Sequence, residues 1–345
     1  MMDVAIVGAS GYAGIELTRI LAGHPDFRLV MVTSHAEAGR LVSEVYPKLT
    51  TLTDLRYEAP EISLLARRAQ VVFLAVPHSV SMGIVPELYK AGAVIIDASA
   101  DYRLKDPNSY ERWYGTAHSS PELLSHAVYG LPEVDRSSLP GAQLIACPGC
   151  YPTATALAAA PALQAGIVSG NRIIVDAKSG VSGAGKEATA MTHFPAINET
   201  VAAYKVGSHR HIPEMEQQLS MLAQRKMQVA FTPHLIPMTR GLLSTVYMEL
   251  SEPMTTEEVF VMYEDRYREE PFITICEPGQ MPSTGEVSGT NRAHIGVTCD
   301  PSGVIIVTCA IDNLIKGTSG QAVQCANIAL GIEETTGLKM LAPVI

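Results

Sequence analysis

Val4-Ala5-Ile6-Val7-Gly8-Ala9-Ser10-Gly11-Tyr12-Ala13-Gly14-Ile15-Glu16-Leu17-Thr18-Arg19-Ile20-Leu21 is the stretch that decides the fold. Its first four residues are a continuous apolar run, the pattern of a strand buried on both faces. Ile15, Leu17, Ile20 and Leu21 then recur at the spacing of one helical face. The three glycines between them make a strand-turn-helix junction, where backbone N–H groups can approach a pyrophosphate. The spacing is G-x-x-G-x-x-G rather than the usual G-x-G-x-x-G, so its place in the strand-turn-helix unit carries the reading. Gly8, Ser10, Gly11, Tyr12, Ala13 and Gly14 are therefore the expected dinucleotide contacts. A second strand over 27–34 ends at Ser34 and His35, with Arg40 shortly after and Glu37 one turn off the place of a ribose-binding acid. A hydroxyl plus a cation suits a 2′-phosphate, so Ser34 and Arg40 point to NADP.

The alternation continues, with strand-like runs over 71–76, 93–97 and 144–146, which predicts a parallel, doubly wound sheet. Beyond about residue 168 the chain becomes strand-rich (172–177, 228–233, 244–250, 272–276, 294–299 and 304–311), with helical stretches over 211–224 and 255–269. The expectation is α/β: a Rossmann-type NADP-binding domain over 1–148, completed by a C-terminal helix in 317–345, plus an α+β catalytic and dimerisation domain over 149–316. A chain of 345 residues suits two such domains. Its net charge of −10 and lack of a basic run argue against nucleic acid or an anionic membrane surface as partner. The six cysteines, at 147, 150, 276, 299, 309 and 325, lack metal-ligand spacing, so no metal is expected. Cys276, Cys299 and Cys309 read as core thiols, and this usage with no signal sequence predicts a cytoplasmic protein.

Cys147-Pro148-Gly149-Cys150-Tyr151-Pro152-Thr153 carries the chemistry. It joins the 144–146 strand to an Ala-rich helical run, so Cys150 falls at a helix N-terminus, where the dipole promotes a thiolate. A buried inert cysteine, or a redox pair of Cys147 with Cys150, is the competing reading. Lys178-Ser179-Gly180-Val181-Ser182-Gly183-Ala184-Gly185-Lys186 is a Gly-Ser loop after a strand, suited to close approach by a ligand, with Ser182 and Gly183 as expected cofactor contacts. Arg103, in Asp97–Arg103, is placed to clamp a phosphate or to form an ion pair with Asp101 or Asp106. Ser208-His209-Arg210-His211-Ile212-Pro213-Glu214 puts two histidines and an arginine just before a helix. His211 is the expected acid/base group and His209 the alternative, since the two share a face of an extended segment. Glu214 is expected to reach back and cap that helix.

Taken together these segments resemble a known family. Gly8–Gly14, Asp97–Leu104, Tyr129-Gly130-Leu131-Pro132-Glu133, Pro148–Thr153, Ser179–Gly185, His209–Glu214 and Asp312-Asn313-Leu314-Ile315-Lys316-Gly317 are similar, in order, to the N-acetyl-γ-glutamyl-phosphate reductases of arginine biosynthesis. The wider superfamily includes aspartate-semialdehyde and glyceraldehyde-phosphate dehydrogenases. The resemblance implies an NADPH-dependent reduction of a small acyl phosphate to an aldehyde through a cysteine thioester, in a homodimer or homotetramer. It also implies that Asn313 holds the nicotinamide carboxamide, and that Arg103 and Arg210 bind substrate. Cys147 stands where many members have Asn, Ser79 where many have Gly, and Thr318-Ser319 where Ala-Ala is usual. Two other readings stay open: a sister reductase of carrier-linked aminoadipyl phosphate in lysine synthesis, and a non-catalytic NADP or redox sensor.

Overall fold

The computed structural model describes residues 1–344. The chain divides into two compact units, one of Met1–Pro148 with Thr318–Met340, the other of Gly149–Gly317 with the tail from Leu341. In the first unit the strands are β1 (Met2–Val7), β2 (Phe27–Thr33), β3 (Tyr57–Glu58), β4 (Val71–Leu74), β5 (Val94–Asp97), β6 (Val128–Tyr129) and β7 (Leu144–Ala146). They form one sheet in the order β3-β2-β1-β4-β5-β7-β6, and every neighbouring pair is parallel. Val4, Ala5 and Ile6, and the whole of β4, are buried, as a sheet covered on both faces requires. The order reverses between β1 and β4, so the ends of these two strands form the crevice where such folds take their ligands. The glycine turn sits there, leading into the helix Tyr12–Ala22.

The second unit carries a mixed sheet, in the order β12-β13-β14-β11-β8-β10-β9. Its strands are β8 (Arg172–Ser179), β9 (Ala202–Ala203), β10 (Gln228–Leu235), β11 (Leu242–Glu249), β12 (Ile273–Ile275), β13 (Ala293–Asp300) and β14 (Val304–Ile311). β8 with β10, and β12 with β13, run parallel, and the other pairs run antiparallel. β8, β10 and β11 alternate buried and accessible residues, so one face is core. The helices Cys150–Gln164, Ile212–Ala223 and Thr256–Tyr267 pack on that face.

The Cys150–Gln164 helix runs straight through Pro161, which has no N–H for the Leu157 carbonyl. The Tyr267 hydroxyl donates to that carbonyl at 2.7 Å, and Tyr263 donates to the Ala158 carbonyl beside it at 2.6 Å. Two tyrosines of a neighbouring helix thus satisfy the backbone where the proline opens it. Of the thiols expected in the core, Cys309 is fully buried, but Cys276 and Cys299 are only partly so. Cys276 lies just past the end of β12, and Cys299 near the outer end of β13. Among the described residues no helix is long and apolar enough to cross a membrane, and no group of three or more His, Cys, Asp or Glu is arranged to hold a metal ion.

Candidate active site

In the first unit the three glycines have separate physical reasons. Gly8 has φ +82°, and a Cβ there would lie 2.4 Å from the Ala75 carbonyl oxygen. A Cβ on Gly14 would lie 2.3 Å from the Gly8 carbonyl oxygen, so the helix start packs against the strand end. A Cβ on Gly11 meets nothing nearer than that same oxygen at 3.7 Å. Gly11 is therefore not required by the protein's own packing and leaves room for a ligand at the N-terminus of Tyr12–Ala22. That helix has Gly11 as N-cap, no side-chain cap and no acid in its first turn. These features fit the pyrophosphate of a dinucleotide. Ser10 and Ser34 join through their hydroxyls at 2.7 Å, and the Ser34 oxygen also accepts from the Glu37 N–H. Arg40 pairs with Glu37 at 2.7 Å, with its side chain 53% exposed.

Arg103 is not a surface ion pair. It is buried at the ends of β5 and β7, where its Nε donates to the Cys147 carbonyl at 2.8 Å and Nη2 to the Ala98 carbonyl at 3.0 Å. Asp106 instead caps the helix Pro107–Tyr114. Asp97 and Asp101 lie buried beside Arg103, both accepting from the Ser81 hydroxyl at 3.0 Å. Burial, with Asp101 adding, pushes the Asp97 carboxyl up to about 6. Asp101 also accepts from the Ser79 N–H at 2.7 Å. Ser79 has φ +68°, a left-handed conformation that glycine adopts at no steric cost.

In the second unit Cys150 opens the helix Cys150–Gln164, with Gly149 as N-cap and no acid in the first turn. The next residue, Tyr151, packs edge-on against the rings of His209 and His211, at centroid distances of 5.6 and 5.9 Å. Tyr204 and Phe231 complete the cluster around His209. The His211 main-chain N–H donates to His209 Nδ1 at 3.1 Å, which fixes the hydrogen of a neutral His209 on Nε2. Burial, then the nearby charges of His211, Lys205 and Arg210, push His209 down to about 2, so it stays neutral.

Glu214 does not cap its own helix, whose N-cap His211 has no side-chain cap. It is buried and instead accepts from the Gly149 N–H at 3.0 Å, across 65 residues of sequence. The first turn of the Cys150 helix is thus held by the His-Arg-His-Ile-Pro-Glu segment. Gly317 presses on the other side, where a Cβ would lie 2.6 Å from Cys150 Cβ. The two cysteines of the Cys-Pro-Gly-Cys run are not paired. Cys147 is fully buried in the first unit, and the neighbouring Cys325 thiol together with burial pushes its own thiol well above the usual range. Among the described residues no disulfide forms.

The Gly-Ser loop is built differently from its appearance in the sequence. Its backbone N–H groups at Gly180, Val181 and Ser182 donate to the carbonyls of Gly241, Met238 and Thr239 at 2.9, 2.9 and 3.0 Å. A Cβ on Gly180 would lie 2.9 Å from the Arg240 backbone, so this glycine serves loop-to-loop contact. Asn313 crosses the same place, Nδ2 donating to Ser182 Oγ at 3.0 Å and Oδ1 accepting from the Gly241 N–H at 2.7 Å. Gly183 lies beside it, with a notional Cβ 3.6 Å from Asn313 Nδ2.

Residues 3–142 match the semialdehyde dehydrogenase NAD binding domain, and residues 150–313 the semialdehyde dehydrogenase dimerisation domain. The chain is 49% identical to N-acetyl-gamma-glutamyl-phosphate reductase of Desulforudis audaxviator, covering 98% of each chain. It is 48% identical to the protein of the same name from Geobacter sp. strain M21, over 99% of each. The chain belongs to the N-acetyl-gamma-glutamyl-phosphate reductase family. Solved structures with the same fold include aspartate semialdehyde dehydrogenase II of Vibrio cholerae complexed with ASA, with TM-score 0.74 and 18% identity over 95% of this chain and 98% of that one. Another is aspartate semialdehyde dehydrogenase with NADP from Candida albicans, with TM-score 0.72 and 14% identity over 95% and 98%. Beside the expected Cys150, His209 and His211, the structure brings Tyr151, Glu214 and Gly317 into the same part of the second unit. The signal for Gly317 was present as the last glycine of Asp312–Gly317, but nothing in the sequence shows what it touches.

Proposed function

We propose that the protein reduces N-acetyl-γ-glutamyl phosphate to N-acetyl-glutamate 5-semialdehyde with release of phosphate, using NADPH and a thioester on Cys150. The observation that carries this reading is the placing of Cys150 at an acid-free helix start, beside a tyrosine in ring contact with His209 and His211. His211 takes the thiol proton, and the thiolate attacks the acyl carbon to form a tetrahedral oxyanion. Of the N–H groups at the helix start, that of Gly149 is committed to Glu214 and Pro152 has none, so those of Cys150 and Tyr151 are the oxyanion donors. Collapse breaks the C–O bond to phosphate, which takes a proton from solvent water and leaves as hydrogen phosphate, a group assigned to Arg103, and the acyl group stays on Cys150 as the thioester. Held at the glycine turn of Gly8–Gly14, NADPH would supply the hydride that the thioester carbon needs. His211, now protonated, gives its proton to the oxygen, and the thiohemiacetal collapses to the semialdehyde and thiol.

His209 supports this division of labour, because a histidine held neutral and locked in one tautomer orients its neighbour rather than cycling protons near pH 7. Arg210 is assigned to the substrate. Gly8, Ser10, Gly11, Tyr12, Ala13 and Gly14 are assigned to the pyrophosphate, Ser34 and Arg40 to the 2′-phosphate, and Ser182, Gly183 and Asn313 to the nicotinamide end. The accessible face of the second unit's sheet is assigned to a homodimer contact, and the absence of disulfides among the described residues favours the cytoplasm. A carrier-linked substrate has no support from a chain of net charge −10. A Cys147–Cys150 sensor has none from a Cys147 thiol that faces Cys325.

The test compares Cys150→Ser with Cys147→Ser, by activity and by mass-spectrometric mapping of iodoacetamide labelling. Cys150→Ser is expected to lose more than about 10⁴-fold in kcat, while Cys147→Ser keeps most activity. Equal losses would overturn the assignment.

A further inference from the structure

Arg240 lies in the loop between β10 and β11, and no motif in the sequence reading drew attention to it. The loop is held rigid on one side by the three bonds from Gly180, Val181 and Ser182, and on the other by the Gly241 N–H bond to Asn313. Its guanidinium is aimed by Asp312, which is fully buried, with Nη1 to Oδ2 at 3.2 Å and the arginine side chain 26% exposed. Asp312 accepts three backbone N–H bonds besides, from Gly289 at 2.6 Å, Leu314 at 2.8 Å and Ile315 at 3.2 Å. A carboxylate so well held by the backbone gives a fixed mount for the arginine. The Asp312 carbonyl accepts from the Gly317 N–H at 2.9 Å, and Gly317 is the residue pressed against Cys150. Within one unit, three successive contacts therefore lead from the nucleophile to a partly accessible cation.

We propose that Arg240 anchors the α-carboxylate of the substrate and so selects an acidic acyl phosphate. This rests on the reductase reading above. A guanidinium fork matches a carboxylate in two parallel hydrogen bonds and stays charged at every working pH. Its charge is already offset in part by Asp312, which suits a monoanion that is present in substrate and product alike. The phosphate is a dianion that must leave, and a cation so tempered suits it less. Binding that is the same throughout the reaction acts on KM and leaves kcat nearly untouched.

The experiment runs the reaction in the oxidative direction with two aldehydes, N-acetyl-glutamate 5-semialdehyde and 4-acetamidobutanal, which lacks the carboxylate. Arg240→Gln is expected to raise KM for the first by roughly 10- to 100-fold, as losing a charged hydrogen-bond partner implies, with kcat within about threefold. Its kcat/KM for 4-acetamidobutanal and its KM for inorganic phosphate stay as in the unaltered protein. Arg240→Lys, which keeps the charge but not the fork, retains part of the preference for the acidic aldehyde and covers the case in which Arg240→Gln does not fold. Equal losses on both aldehydes, or a rise in the phosphate KM, would overturn the proposal. An unaltered protein that oxidises neither aldehyde would overturn the reductase reading itself, so the two failures are told apart.

Discussion

Two helix starts in this molecule use the same physical device on different problems. Tyr12–Ala22 and Cys150–Gln164 both follow a parallel strand, both have a glycine N-cap without a side-chain cap, and neither carries an acid in its first turn. The first keeps its dipole for a ligand's pyrophosphate, and the second keeps it for a thiolate and an oxyanion made on the chain itself. They differ in what fixes them. The first start turns on a contact within its own loop, Gly14 on Gly8, to which distant hydroxyls add single bonds at the Ser10 and Ala13 carbonyls. The second is clamped by distant residues, Glu214 on Gly149 and Gly317 on Cys150. A binding loop can tolerate local determination, whereas a nucleophile must be positioned to within a fraction of an ångström and draws on the whole unit.

The difference can be pressed first at Gly317. Gly317→Ala would force Cys150 to shift, because the new methyl carbon would otherwise lie 2.6 Å from Cys150 Cβ. A fall in kcat of about 100-fold is expected, with NADPH affinity retained. Steady-state kinetics beside cofactor titration checks this, and an unchanged kcat would mean that the contact does not set the nucleophile.

The first helix start should separate its glycines by readout. Gly14→Ala puts a methyl 2.3 Å from a carbonyl oxygen and is expected to cost about 1–3 kcal/mol of stability, seen as a lowered Tm. Gly11→Ala fits the protein but crowds the ligand, so Tm should hold while the NADPH Kd rises roughly tenfold. A matching loss of Tm in both variants would break the distinction.

A smaller effect is expected at Arg40. Its pairing with Glu37 must be given up or shared when a 2′-phosphate binds, which trims the gain. Arg40→Ala should weaken NADPH binding by about three- to tenfold and leave NADH within experimental error. Equal weakening of both cofactors would remove Arg40 from the 2′-phosphate site.

The same contrast explains what was legible in the sequence. The long apolar strands, the order of helices and strands and the first glycine turn could be read because each is set by near neighbours or by periodicity. The strands β3, β6 and β9, at two residues each, could not be read, since pairing partners rather than composition define them. Cys150, His209 and His211 stood out by residue type, and their company in one unit followed. Glu214 has the three-residue spacing from His211 of a local cap, while its partner lies 65 residues earlier. The Ser179–Gly185 loop looked like a ligand cradle, yet its N–H groups at 180–182 are spent on the 238–241 backbone. Two of the departures from the family pattern have physical partners in the fold. Cys147 lies beside the Cys325 thiol, and the Ser319 hydroxyl donates to the Ala13 carbonyl at 3.0 Å, steadying the first helix start.

His211 is assigned the proton of Cys150, while His209, held neutral, serves as its support. The measurement that bears on it most directly is the pH dependence of Cys150 alkylation and of kcat in His211→Asn and His209→Asn. As the base of the first step, a histidine must be unprotonated, so activity and alkylation rise with pH as it gives up its proton. His211→Asn is expected to abolish that rise and leave only the ionisation of the thiol itself. His209→Asn is expected to keep the rise with a lowered plateau, because a group pushed down to about 2 does not titrate there. Loss of the near-neutral rise in His209→Asn, with its survival in His211→Asn, would contradict the account.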